Sequence, residues 1–273
     1  MNTRISAQAA PATDRASFAE CLNIQWRVLY ALFLRELITR FGRDNLGVLW
    51  LIGEPMIFTL GVATLWSTAG LAHNGSIPIV AFAVTGYSSV LMWRNATNHC
   101  SSGVIANRPL LYHRRVKVLD IFLARIALEI IGATGSFIGL ATFFTYLGWM
   151  PLPDNLMYVL GGWFMLAWFG TALALLVGGG VAFSELVHRL WHPISYLLFP
   201  MSGAAFMVDW LPTKLQAVVL YLPMVHGVEM LRHGYFGNTV KTHFDGLYMA
   251  ECCLFISLFA FYIVRQASLR VEY

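Results

Sequence analysis

The stretch FLRELITRFGRDNLGVLWLIGEP, Phe33 to Pro55, sets a charged segment directly against an apolar one with no linker between them. From Gln25 to Asp44 the pattern is helical. At about 100° per residue, Trp26, Tyr30, Phe33, Leu34, Leu37 and Phe41 share one arc, and Arg35, Glu36, Thr39, Arg40 and Arg43 share the opposite one. This is the pattern of an interfacial helix, with its apolar face in the headgroup boundary and its basic face toward the cytoplasm. Gly42 and Gly47 let the chain turn from lying on a membrane to entering it. Pro55 suits the first turn of the next helix, whose N–H groups lack partners anyway. Glu54 has two readings. It is a structural anchor favoured by the helix dipole and paired with Arg40 or Arg43, or it is a charged lining at a cytoplasmic entrance.

Composition takes the same direction. Of 273 residues, 58% are hydrophobic and only 12% are charged, with mean hydropathy +0.64. Soluble domains run near ~45–50% apolar and ~25% charged, and half the usual charge cannot cover a water-soluble globule of this size. The class is an all-α polytopic membrane protein. A helical span needs ~20 mostly apolar residues, and six runs qualify: Pro55–Leu71, Ile77–Trp93, Leu119–Leu147, Leu156–Phe183, Pro193–Val208 and Leu247–Val264. The third and fourth are long enough to tilt, and the fifth is short. The runs do not alternate as barrel strands would.

Orientation follows from lysine and arginine. With six spans, fifteen of the eighteen basic residues fall on the side of the termini, and only Lys214, Arg232 and Lys241 fall on the other. Both termini are therefore expected in the cytoplasm. Residues 1–20 lack the apolar centre of a cleavable signal and read as a flexible tail. The segment 21–49 reads as the interface helix and 50–273 as the six-span body. Cys21, Cys100, Cys252 and Cys253 fall in spans or on the cytoplasmic side, so no disulfide framework is expected.

Two connections stand out. The loop RNATNHCSSGVIANRPLLYHRRVK, within 94–118, carries five basic residues and no acidic one. It reads as an ordinary lipid-binding loop or as a docking surface for a soluble partner. On the outer side, 209–245 holds an apolar piece, Leu211–Leu222, that is too short to cross and is broken by Pro223, as re-entrant or interfacial pieces are. Beyond it, His226, Glu229 and Arg232 recur every three residues and can pair along one helix face. This segment reads as a structural cap or as a gate.

Catalytic and metal-binding patterns are missing. No phosphate-binding loop is present, because Gly178–Gly180 is followed by valine inside an apolar run, which suits close helix packing or a bend. No Cys or His pairs have zinc spacing, so no metal is expected. Glu129 and Glu251 lie within spans, where a charge costs roughly 2.5–3.5 kcal/mol on insertion scales. Glu129 can pair with Arg125 one turn away, and Glu251 can snorkel; a proton relay is the other reading. Trp50, Trp66, Trp93, Trp149, Trp163, Trp191 and Trp210 sit near span ends, as interface belts require. A polysaccharide conduit would also want such flat faces.

Three segments carry a resemblance. ALFLRELITRFGRDNLGVLWLIGEP resembles the opening signature of ABC-2 type permeases for polysaccharide export, R-E-x-x-x-R-[FY] followed by L-G-x-L-W-x-x-x-E-P. SSGVIANRPLLYHRRVKVLDIFLAR resembles the cytoplasmic segment of the capsular polysaccharide exporters, and LPMVHGVEMLRHGYF resembles their outer broken helix, with Leu222–Pro223 in place of the more usual Asn-Pro. The resemblance covers about residues 25 to 250. It implies a type V exporter-like permease: a homodimer in the bacterial inner membrane that binds no cofactor and is driven by two copies of a cytoplasmic ATPase subunit carrying ATP and Mg. It further implies a lipid-linked acidic polysaccharide as cargo, handed to periplasmic and outer-membrane capsule export proteins, with membrane lipids around it and no nucleic acid. Under it, Arg35, Glu36, Arg108, Tyr112, Arg114, Arg115 and Lys117 are docking candidates. Arg40, Trp50, Glu54, Tyr87, Trp93 and Arg94 are channel candidates, and Pro223, His226, Glu229 and Arg232 are outer-gate candidates. The competing readings are an ion-coupled secondary transporter working through Glu129 or Glu251, a lipid-modifying membrane enzyme, and a related exporter of O-antigen or teichoic acid-like polymers.

Overall fold

Every element among the described residues is helical. The computed structural model describes residues 17–41, 47–68, 77–103, 107 and 116–271, without the side chains of residues 41, 47, 48, 50–52, 54, 55, 66, 67 and 271. The helices are α1 (Phe18–Phe41), α2 (Gly47–Thr68), α3 (Ile79–Ser101), α4 (Val118–Tyr146), α5 (Leu156–Val181), α6 (Glu185–Met201), α7 (Thr213–Val219), α8 (Pro223–Phe236) and α9 (Gly246–Val271). Single 3-10 turns occupy Val208–Trp210 and Gly237–Thr239.

Among the described residues, three helical stretches are long and apolar enough to cross a membrane: Val118–Tyr146, Leu156–Val181 and Gly246–Arg270. The others differ for physical reasons. α3 carries Arg94, Asn95, Asn98 and His99, and it keeps that polarity because it is buried along most of its length by its neighbours. α6 has 17 residues, with Pro193 and Pro200 inside it, and so reaches only about 25 Å.

Several expected boundaries move. α1 begins at Phe18, inside the stretch read as a flexible tail. Pro55 is not in a first turn: Gly47–Ile52 is itself helical, so the proline lies two turns into α2. The helix of the second expected run does not stop at Trp93. Ala96 and Cys100 pack with Phe122 and Ala174, which carries α3 to Ser101 and takes Arg94 out of the loop. The helix of the fifth expected run starts before Pro193: the Ser184 hydroxyl accepts from the Leu186 N–H at 3.2 Å and caps α6. Arg189 is therefore helical and pairs with Glu185 at 3.3 Å.

α3 and α5 form the centre, with α4, α8 and α9 packed around them. The glycine run at the end of α5 is a packing seam. A Cβ on Gly178 would stand 3.0 Å from the Phe122 ring and 3.1 Å from the Cys100 carbonyl oxygen, and one on Gly179 would stand 2.9 Å from Ile263. Only a hydrogen at these positions lets three helices approach.

α1 lies against α4, with Leu32 and Glu36 buried on the near side. On its exposed side Phe18, Leu22, Trp26, Tyr30, Leu34 and Ile38 form one ridge at four-residue spacing. Of the apolar arc of the sequence reading, Trp26, Tyr30 and Leu34 are exposed, Phe33 and Leu37 are half-buried, and the Phe41 side chain lies outside the described residues. The charged arc departs from that reading, because Glu36 and Arg40 turn into the protein, where charges on α4 need counter-ions.

Candidate functional site

Three polar sites divide the bundle, and the first joins α1 to α4. Glu36 Oε1 stands 2.9 Å from Arg125 Nε, and Arg40 pairs with Glu129 through a close Nη1 contact. Within α1, Arg40 Nη2 also lies 3.1 Å from Glu36 Oε1. Arg125 Nη1 donates to the His99 carbonyl at 2.6 Å, placing a cation at the C-terminal end of α3, as exposed helix-end carbonyls favour. His99 Nε2 stands 3.4 Å from Glu129. The intrahelical Arg125–Glu129 pair expected from sequence does not form; each group takes a partner on α1 instead. The signal lay in both helices, an acid and a base four residues apart on each, but only the fold crosses them. Removing one member of such a buried set leaves a charge uncompensated, a loss of about 3–5 kcal/mol.

Neighbouring contacts extend this attachment. Arg35 Nη1 donates to Asn107 Oδ1 at 2.9 Å, and Gln25 donates to Asp120 in the first turn of α4. Lys117 is the N-cap residue of α4, its N–H bonded to Asp120 at 3.0 Å. Arg108, Tyr112, Arg114 and Arg115 lie outside the described residues, as do the side chains of Trp50 and Glu54. Glu129 is neutralised by Arg40, and Glu251 is exposed near the start of α9.

The second site lies between α3 and α6. Arg94 Nε donates to the Ser195 hydroxyl at 3.2 Å, and its guanidinium carbon stands 4.9 Å from the Tyr196 ring centroid and 5.6 Å from that of Phe199. Tyr87 meets Phe199 edge to face at 5.8 Å. Among the described residues no carboxylate pairs with Arg94. The structure therefore brings Arg94 and Tyr87 together, and adds Ser195, Tyr196 and Phe199. Sequence reading missed these three because a hundred residues separate them from Arg94. Trp93 does not join them: it is fully buried and packs edge to face on Phe169 at 6.1 Å. Trp191 is likewise buried, donating to Asn98 at 2.7 Å. Both tryptophans thus leave the interface belt expected of them, whereas Trp149 and Trp210 are exposed.

At the opposite end, His226, Glu229 and Arg232 share a buried face of α8, which starts with Pro223 at its first helical turn. They do not pair with one another along that face; each pins a different segment. Arg232 donates to the carbonyls of Gly203, Ala204 and Phe206 at 2.6, 2.6 and 2.7 Å, and its guanidinium stacks 3.8 Å from the Phe82 ring centroid. Glu229 accepts from the Val208 N–H at 3.2 Å and from the His243 N–H at 3.0 Å. His226 Nδ1 accepts from the Asp245 N–H at 2.9 Å, so Nε2 carries the proton toward the Leu220 carbonyl at 2.8 Å. Outside this core, the His243 hydrogen bond at 3.1 Å, aided by Lys241, holds the Asp209 carboxyl below its ordinary value. The assembly is a stiff cap that ties 202–211, α7, α8 and the approach to α9 into one unit.

The three sites are thus a helix attached to the bundle by buried charges, an arginine that meets a hydroxyl and aromatic rings but, among the described residues, no carboxylate, and a hydrogen-bonded cap. Among the described residues no cluster of three or more metal-ligating side chains occurs. Residues 27–236 match the ABC-2 type transporter family. The capsule polysaccharide export inner-membrane protein CtrC of Neisseria meningitidis is 42% identical over 258 residues, which is 94% of this chain and 97% of that protein. The corresponding inner-membrane protein BexB of Haemophilus influenzae is 38% identical over 259 residues, 95% of this chain and 98% of its own length. The polysialic acid transport protein KpsM of Escherichia coli is 28% identical over 255 residues, 90% and 96% of the two chains. With the helical bundle and the apolar spans already in place, these matches make the chain a member of the ABC-2 type transporter family.

Proposed function

We propose that the chain is the permease subunit of an ATP-binding-cassette exporter that moves a lipid-linked capsular polysaccharide across the bacterial inner membrane. The observation that carries this reading is the near full-length similarity to capsule polysaccharide export inner-membrane proteins of two organisms. The chain itself performs no covalent chemistry. ATP and Mg are bound by a separate cytoplasmic subunit, present in two copies on a homodimer of this chain. Six spans, with both termini cytoplasmic, place α1 and the 94–118 region on the ATPase side and the α7–α8 cap outside. Closure of the ATPase pushes on α1 and on the segment holding Arg108, Tyr112, Arg114, Arg115 and Lys117. Arg94, with Tyr87 beside it, meets the acidic sugars as the chain passes, and the cap around Pro223, His226, Glu229 and Arg232 moves as the outer gate.

Purification from native membranes in a mild detergent, with mass spectrometry of stoichiometric companions, tests this. A soluble subunit carrying a phosphate-binding loop is the expected companion, and reversing charge at Arg114 and Arg115 should weaken its retention without preventing insertion. A chain that purifies alone, from cells whose surface polysaccharide is unchanged by its loss, would overturn the proposal.

A further inference from the structure

The four buried charges between α1 and α4 can be matched in two ways. In the structure they are crossed, with Glu36 to Arg125 and Arg40 to Glu129. Yet Glu36 and Arg40 are one turn apart on α1, already in contact at 3.1 Å, and Arg125 and Glu129 are one turn apart on α4. Residues four apart on a helix are neighbours and pair within it. Each helix therefore carries its own neutral pair. We infer that the cluster is a partner-exchange clasp: crossed pairs hold α1 against the bundle, and uncrossed pairs let α1 lift away with no buried charge left alone. An ordinary interhelical ion pair has no such second arrangement, and separating it strands a charge on each side.

Three features favour exchange over a fixed attachment. Arg125 keeps the His99 carbonyl as an acceptor on α3 whichever carboxylate it faces, so it does not depend on α1. His99 Nε2, 3.4 Å from Glu129, stays on the bundle side and gives that carboxylate a second polar neighbour. The exposed apolar ridge of α1 from Phe18 to Ile38 faces away from the bundle, so the apolar contact that opposes the movement is confined to Leu32 and the half-buried Val28, Leu29, Phe33 and Leu37. The inference deepens the exporter reading and rests on it for its purpose: the clasp is where movement driven by the ATPase enters the spans.

Four double variants each remove one acid and one base. E36Q/R40Q and R125Q/E129Q leave a matched pair inside one helix and nothing across, whereas E36Q/R125Q and R40Q/E129Q leave a matched pair across and strand charges on opening. Leu32 is buried on the clasp face of α1, so Leu32→Cys reports separation through its maleimide labelling rate in native membranes, with Cys21 and Cys252 replaced by serine. Without ATP, the first two variants should label about tenfold faster than the unsubstituted cluster, and the last two no faster than it. With ATP, the unsubstituted cluster should speed up and the last two should not. If the last two instead label faster than the unsubstituted cluster, as a fixed attachment that has lost one of its two crossed pairs must, the exchange is overturned. The comparison of R40Q/E129Q with the unsubstituted cluster suffices where loss of Arg125 impairs folding. If the variants split as expected but ATP leaves the unsubstituted cluster unchanged, the exchange stands and the ATP-driven reading fails.

Discussion

Replacing Arg232 with methionine should loosen the cap more than any nearby polar substitution. The side chain is fully buried and satisfies the carbonyls of Gly203, Ala204 and Phe206 at once. Each buried acceptor left unpaired costs about 1–3 kcal/mol, and the lost stacking on Phe82 adds about 2. Against this, the variant no longer has to desolvate a guanidinium, which recovers several kcal/mol, and the freed carbonyls relax or admit water. The net loss is about 4 kcal/mol, within the range for breaking a buried charged contact. At roughly 2–4 °C per kcal/mol for chains of about this size, the melting temperature in mild detergent should fall by about 10 °C. Arg232→Lys keeps the charge without the fork of donors and should lose roughly half as much. Unfolding followed by the fluorescence of the nine tryptophans reads both. An Arg232→Met protein melting within about 2 °C of the parent would mean that Arg232 does not hold the cap together.

Gly162→Ala should lower the melting temperature through about 1–3 kcal/mol of overpacking, because its Cβ would stand 2.6 Å from Leu231 N and 2.9 Å from the Gly227 carbonyl oxygen. Gly61→Ala, with open space around it among the described residues, should instead raise it through about 0.5–1 kcal/mol of added stability. The same melts check both. Asp209 is held below its ordinary value, so its contribution is fully present above the unfolded value near ~3.9 and is lost as pH falls through the lower folded one. Asp209→Asn should therefore cost less than ~1 kcal/mol at neutral pH, as exposed pairs do, and the gap should narrow as pH falls through the lowered folded value; melts of both proteins across an acid titration decide it. Arg94→Gln should leave insertion and ATPase retention intact while reducing surface polysaccharide several-fold, more for an acidic polymer than a neutral one. Equal loss for both polymers would remove the charge argument.

What sequence could and could not reveal follows from where each partner sits. α4, α5 and α9 were readable because a hydrophobic run needs no knowledge of its neighbours. α3 was cut short because Arg94, Asn98 and His99 look like a loop until the helices that hide them are known. Pro55 misled through a sound local rule, since proline favours a first turn, but the apolar residues before it already propagate a helix. The spacing of His226, Glu229 and Arg232 gave the shared face correctly and the pairing wrongly. Their partners are mostly backbone groups, which every residue supplies and no residue type announces. Gly203, at φ 82°, is the one local trace, because a left-handed turn there helps aim successive carbonyls at a single guanidinium. The clasp shows the same limit from the other side. By spacing, Glu36 matches Arg40 and Arg125 matches Glu129 within their own helices, so nothing in the sequence of either segment requires the other. That self-sufficiency hid the crossed contacts from sequence, and it is also what allows them to be undone.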